Sequence, residues 1–312
     1  MQDARRPSPQ ALARRRSARK RLGLLVLGSS IVISAIVLTA ERGHAKAPDG
    51  TVAKNAAART VAIDPFTTSA LQRWVAGRQG DVSAAALNLK TGRKWLLNPG
   101  ARDQTASIIK ADILETLLYQ TRKDDDSIAD AEGEVPEAMI EASDNTDATQ
   151  LWDQIGGSTG IGRFNALAGL TQTTPNTRGY WGETLTSAAD QIKILEQLAE
   201  PSKLLSKAAQ TYQLSLMTDI DPGENWGVSG GVPAGVTVAL KDGWVPLTSA
   251  ATDWEVNSIG WVHGDGHDYL LAVLTAHDPS ETYGIDTIDM IAANVYATFG
   301  TGGLKATKGT RA

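Results

Sequence analysis

Thr105-Ala106-Ser107-Ile108-Ile109-Lys110-Ala111-Asp112-Ile113-Leu114-Glu115-Thr116-Leu117-Leu118 is the stretch whose reading decides the fold. Apolar residues recur at Ile109, Ile113 and Leu117, with Ile108, Leu114 and Leu118 beside them, which predicts a helix from Ser107 to about Arg122 with a wide apolar face. On that helix Ser107 and Lys110 lie one turn apart, with Cβ atoms about 5–6 Å from each other. A serine at a helix start gains from the positive end of the backbone dipole, which favours negative charge developing at an attacked carbonyl. A lysine below it acts as a base only if burial or a second cation lowers its pKa. The pair alone says little, because Ser17-Ala18-Arg19-Lys20 has the same spacing inside a basic stretch.

The flanks of this helix set the fold class. Before it, Ser83–Leu89 and Arg93–Leu97 read as two strands joined by the turn Lys90-Thr91-Gly92. After it comes an acidic connection, Asp124 to Glu134, then helical pieces at Asp147–Ile155, Phe164–Leu170 and Leu185–Leu198. Val236–Leu240, Val256–His263 and Tyr269–Thr275 are strand-like, and Gly284–Phe299 carries Ile285, Ile288, Ala292, Val295 and Phe299 at helical spacing. Two strands, a block of helices, three strands and a closing helix predict an α/β (α+β) fold. Its antiparallel sheet is built from both chain ends and flanked by helices, with an all-helical lobe.

Two further groups could serve Ser107. Ser143-Asp144-Asn145 precedes a helix, and all three residue types are favoured helix caps. Functionally, Ser143 could relay a proton to a leaving amine and Asn145 could donate to a substrate amide. Lys241-Asp242-Gly243 closes the run Val236–Leu240 and precedes Trp244. A lysine at a strand end can hold a carboxylate, and glycine lets substrate backbone approach, although Asp-Gly is also a common hairpin turn. Lys90-Thr91-Gly92 has the same form but lies in a turn ahead of Ser107. His263 and His267 are four apart, but around Gly264-Asp265-Gly266, where a turn splays the side chains instead of pairing them as a helical zinc site would. Neither a metal nor a cofactor is expected.

Composition limits the remaining options. Residues 1–21 carry eight Arg/Lys and one Asp, so the net charge of −5 leaves about −12 on the rest of the chain. A nucleic-acid partner needs a basic folded face, and this body is acidic. Leu22–Ala40 is a run of nineteen residues without charge, about 28 Å as a helix, with its arginines on the N-terminal side. It reads as a single-pass membrane anchor with the C-terminal domain outside the cell, or as a signal segment that leaves the domain secreted once cut. The expected organisation is a basic cytoplasmic tail (1–21), an anchor or signal (22–40), a linker (41–62), one catalytic domain (63–300) and a flexible tail (301–312). There is no cysteine, so no disulfide or thiolate chemistry.

The order Ser-x-x-Lys, Ser-Asp-Asn, Lys-x-Gly resembles the class A serine β-lactamases and the related penicillin-binding transpeptidases and carboxypeptidases. The likeness runs from about Pro65 to Phe299 and takes in Ile155-Gly156-Gly157, Trp226-Gly227 and Val256-Asn257-Ser258-Ile259-Gly260. The resemblance implies that Ser107 is the acylated nucleophile, Lys110 its base, Ser143 the proton relay and Asn145 a substrate ligand. It further implies that Lys241 pairs with a substrate carboxylate beside Asp242, Gly243 and Trp244, with the N–H groups of Ser107 and Trp244 as oxyanion hole.

The implied partner is a small β-lactam or a peptidoglycan stem peptide. The implied activity is β-lactam hydrolysis, with a D-alanyl-D-alanine carboxypeptidase or a catalytically silent binding domain as alternatives. The sequence departs from the family twice. Asp242 replaces the usual Thr or Ser, where a carboxylate is expected to repel an anionic substrate and compete for Lys241. The stretch Ser158–Gly182, where an omega-loop glutamate belongs, has no acid, and Glu183 is the first candidate for a deacylation base. Without that base the acyl ester is expected to persist.

Overall fold

The computed structural model describes residues 60–122, 128–300 and 304–306. The basic tail, Leu22–Ala40, the linker up to residue 59, part of the acidic connection and most of the C-terminal tail lie outside them. Among the described residues no helix is long and apolar enough to cross a membrane.

In chain order the elements are β1 (Thr60–Ala62), α1 (Ser69–Ala76), β2 (Asp81–Asn88), β3 (Arg93–Leu97) and β4 (Asp103–Gln104). Next come α2 (Ile109–Thr121), α3 (Glu134–Glu141), α4 (Asn145–Gln154), α5 (Gly157–Leu167) and β5 (Leu185–Thr186). The rest are α6 (Ala188–Ala199), α7 (Lys207–Thr218), β6 (Thr237–Pro246), β7 (Trp254–Gly264), β8 (His267–Asp278), α8 (Glu281–Gly300) and β9 (Leu304–Ala306).

β2 and β3 from the N-terminal side join β6–β8 from the C-terminal side in one antiparallel sheet of order β3-β2-β8-β7-β6. Both faces are covered, and strand alternation divides the interior in two. Ala85, Leu87, Ala239, Ile259, Leu270, Ala272 and Leu274 pack toward the helical lobe with α2 and α4–α7. Val82, Ala84, Ala86, Leu240, Val256, Leu271 and Val273 face α8 and the start of α1. This is the expected architecture, with β3 and β6 as its edge strands. β9 pairs with β1, so residues 304–306 of the expected tail form a strand.

Several boundaries differ from the sequence reading. The Phe164–Leu170 helix is α5, beginning seven residues earlier at Gly157. Leu185–Leu198 splits into β5 and α6, because Ser187 caps the helix by accepting from Asp190 N–H. α1, α3 and α7 were not anticipated. α7 starts at Ser206, whose hydroxyl accepts from Ala209 N–H, and α1 at Thr68, which accepts from Leu71 N–H. Val236–Leu240 is only the first half of β6, which continues to Pro246.

α2 is the central helix of the lobe, buried on every side from Ile109 to Leu118. That burial includes Asp112 and Glu115, and leaves Asp112 Oδ1 and both Glu115 carboxylate oxygens without a hydrogen-bond partner among the described residues. Burial pushes Asp112 up to about 8, partly offset by Asn165 and Thr116, and pushes Glu115 well above the carboxylate range, with Asp112 adding to it. A carboxyl that holds its proton more tightly folded than unfolded stabilises fully below the unfolded value, near 4, and that stability is lost as pH rises through the folded value. Stability is therefore expected to fall between about pH 4 and pH 8. Asp112→Asn should flatten that fall and raise the melting temperature at pH 8 by at least about 3 °C, roughly 1 kcal/mol in a domain this size. Parallel thermal melts at pH 5 and pH 8 check it, and equal slopes for the two proteins contradict it.

Candidate active site

Ser107 sits in a single 3-10 turn, Ala106–Ile108, that runs directly into α2. The segment before it is held from two directions. Thr105 N–H donates to Thr184 C=O at 2.8 Å, and the Asn257 amide on β7 donates to Gln104 C=O at 2.8 Å and Thr105 C=O at 3.2 Å. Ala106 is forced to φ +46°, a left-handed conformation that costs a non-glycine residue about 1–2 kcal/mol. Ser107 is part-exposed between buried Ala106 and Ile108. β6 lies against it: a Cβ added at Gly243 would stand 2.4 Å from Ser107 N. Glycine is required there so that the edge strand can reach the Ser107 backbone.

Lys110 and Lys241 are both fully buried, and their amines converge on Ser143. Lys110 Nζ lies 2.6 Å from Ser143 C=O, 3.0 Å from Ser143 Oγ and 2.7 Å from Asn145 Oδ1. Lys241 Nζ lies 3.0 Å from the same Ser143 Oγ and 3.1 Å from Asp242 C=O. The cap role and the site role of Ser143-Asp144-Asn145 are divided between residues. Asp144 caps α4 by accepting from Thr146 and Asp147 N–H, while Ser143, at φ +53°, and Asn145 turn to Lys110. Among the described residues the hydrogen bonds of Lys110 go to these two rather than to Ser107. The Trp181 ring lies over Lys110, 5.1 Å from Nζ, and its indole N–H donates to Thr149.

Burial lowers Lys110 to about 6, helped by Lys241 and opposed by Glu224 and Asp144. Burial also lowers Lys241, and Glu224 and Asp242 pull it back up. The result is a mostly neutral amine at neutral pH, joined through a hydroxyl to a second amine that has a carboxylate beside it. Such a chain can take a proton from one side of Ser143 and deliver it on the other.

The structure changes the reading of Lys241-Asp242-Gly243. These residues are not a strand end but the buried middle of β6. Strand alternation puts Lys241 toward Ser143 and Asp242 on the opposite face with Leu240. The Asp242 side chain is buried against Gly227, accepts from Trp226 N–H at 3.4 Å, and is held well above the carboxylate range by burial. The expected repulsion of an anionic substrate therefore does not arise from Asp242. Trp244 follows on the same edge and packs on Trp226, with ring centroids 5.9 Å apart.

Glu183 stands in the turn Trp181–Glu183, but its carboxylate is half-exposed and engaged with Arg178 at 2.7 Å and Asn176 at 3.0 Å. The region read as an omega loop is in its first part helix α5, leaving a shorter loop before Glu183. His267 stacks on Tyr296 at 3.8 Å, while His263 lies beside Asp268. One residue at the site was missed. Glu224, in the turn Pro222–Glu224, brings a carboxylate oxygen to 3.9 Å from Lys241 Nζ. In sequence it is one acid of an Asp-Pro-Gly-Glu turn, which looks like any solvated loop; its place just ahead of Trp226-Gly227 was the one available signal.

Known proteins share this fold. A family model described as "Beta-lactamase enzyme family" matches residues 133–299, just over half of the chain and beginning after Ser107 and Lys110. Proteins of Mycobacterium tuberculosis and Mycobacterium bovis named "Putative lipoprotein LppW" are 27% identical over 204 residues, 62% of this chain. The chain spans about 62% of the length of those curated relatives. Among solved structures, the TLA-1 extended-spectrum β-lactamase superposes with a TM-score of 0.66 at 17% identity, over 74% of this chain and 97% of that one. An ancestral class A β-lactamase gives 0.61 at 20%, over 74% and 98%. A class A enzyme from Bacteroides cellulosilyticus gives 0.64 at 16%, over 74% and 95%. Family match and fold agree: the chain belongs to the beta-lactamase enzyme family and has the class A serine β-lactamase fold.

Proposed function

We propose that this protein is an extracytoplasmic serine hydrolase that forms an acyl-Ser107 ester with β-lactams and releases it slowly. The observation that carries the reading is the meeting of two buried lysine amines on one serine hydroxyl, Ser143, beside the turn that presents Ser107. Lys110, mostly neutral, takes the proton of Ser107 Oγ as that oxygen bonds to the lactam carbonyl carbon. This step requires the Ser107 hydroxyl to swing toward the amine. The C–N bond then breaks, and the proton passes through Ser143 to the leaving nitrogen. The N–H groups of Ser107 and Trp244 receive the carbonyl oxygen, Asn145 holds the substrate amide, and Gly243 leaves room along β6.

Release is the slow half. A water attacking the ester needs its own base, and Glu183 is turned to Arg178 and Asn176 while Trp181 covers Lys110. The same observations favour, as second reading, a penicillin-binding carboxypeptidase of peptidoglycan stems, in which a persistent lactam ester mimics a faster-released peptide ester. The extracytoplasmic location rests on the apolar run Leu22–Ala40 and on relatives named as lipoproteins.

Intact mass after exposure of the full chain to a fluorescent penicillin is expected to show one adduct that lasts for many turnover times of a fast hydrolase and is absent in Ser107→Ala. A label retained in Ser107→Ala rejects the nucleophile, and no label at all rejects the acyl-enzyme. The acylation rate should rise with pH, reach half its limit near 6 and level off above, because only the neutral amine of Lys110 accepts the proton. Lys110→Ala should slow acylation by roughly 10²–10⁴, the usual contribution of a positioned base. A profile flat from pH 5 to 8 contradicts that role.

A further inference from the structure

Lys241 already has a carboxyl neighbour inside the protein. Its buried amine lies 3.0 Å from Ser143 Oγ and 3.1 Å from Asp242 C=O, and Glu224 Oε2 stands 3.9 Å away. That oxygen is itself buried and has no hydrogen-bond partner among the described residues. A buried acceptor without a donor is costly, and such groups are rare without a reason. Burial pushes the Glu224 carboxyl upward, while Lys241 and Lys110 draw it down, and Asp221 and Glu281 oppose them. Glu224 thus lies within the field of both site amines, on the Lys241 side, unlike Asp242 on the far face of the sheet.

A lysine that captures a substrate carboxylate needs an uncancelled positive field. Opposite charges this close in a partly buried site offset much of each other, and a carboxylate arriving at Lys241 would also approach Glu224. A group carrying N–H donors behaves in the opposite way, because it can supply the donor that Glu224 Oε2 lacks. We propose, building on the acyl-Ser107 reading above, that Glu224 sets the specificity of this cleft: the subsite at Lys241 selects acyl donors bearing an amide N–H there over donors bearing a carboxylate. The substrate class is then an amidated lactam or an amidated peptide end.

The test compares benzylpenicillin with its 3-carboxamide by calorimetric binding to full-length Ser107→Ala protein, with and without Glu224→Gln. The carboxamide is expected to bind at least tenfold more tightly than the carboxylate. Adding Glu224→Gln should shift that preference at least tenfold toward the carboxylate. Glu224→Ala repeats the neutralisation, and each variant is accepted only with the parent's circular dichroism spectrum and melting profile. Equal binding, a preference for the carboxylate, a preference unmoved by either variant, or no binding of either compound overturns the proposal. The chain with Ser107 intact is then assayed for adduct mass. A carboxamide preference without any adduct supports the role of Glu224 while rejecting the acyl-enzyme reading.

Discussion

Two lysine amines, removed from water and held on opposite sides of one hydroxyl, impose the main constraint on this structure. Moving an ammonium out of water costs several kcal/mol even after a protein relaxes around it. The two residues meet that cost differently. Lys110 mostly gives up its proton, since burial and the neighbouring Lys241 both disfavour its charged form. Lys241 has Glu224 within 3.9 Å and a backbone carbonyl beside it. An amine without charge and an amine with a partner can share Ser143 Oγ, where two full positive charges would repel across it. Burial is the same for both, so the asymmetry comes from their neighbours, and on the proposed reading it gives proton transfer a direction.

Fixing those amines requires the surrounding chain to be rigid, and much of the fold serves that end. α2 is enclosed on all sides, so the direction of Lys110 follows from packing rather than from its own contacts alone. β6 is an edge strand, and it can lie against the start of α2 because Gly243 has no side chain. Ala106 and Ser143 sit in left-handed conformations on either side of the cleft. Their strain is small beside the energy of a sheet packed on both faces, and at 143 the hydroxyl meets both lysine amines.

What the sequence disclosed follows from how local each signal is. The β2–β3 hairpin, α2, β7, β8 and α8 were legible because apolar periodicity and a glycine turn act over a few residues. α1, α3 and α7 were not: α1 and α3 are short, and all three follow a serine, a threonine or a glycine that reads equally well as loop. The three motifs lie together in the structure, but the side of the strand that Asp242 takes was not legible. A residue in mid-strand points to the face its register assigns, and register depends on partners far along the chain. Glu224 was missed for the same reason, since only the folding of a distant turn onto β6 brings it to Lys241.

On the proposed reading, Trp181 and Glu183 separate the making of an ester from its breaking. Forming the acyl bond uses groups fixed by α2, α4 and β6, all parts of the packed interior. Hydrolysing it needs a base on the other side of the ester, and in this chain that side is formed by the loop between α5 and β5. The loop is anchored at both ends, by Thr174 pairing with Leu185 and by Gly182 C=O accepting from Thr105 Oγ1. Its aromatic residue faces Lys110, and its acid faces outward to Arg178. An indole excludes water from the amine, which helps keep that amine neutral and hinders an incoming water in the same contact. On the proposed reading, the feature that favours acylation is thus the one that slows release, and turnover would require moving the loop rather than altering the lysines.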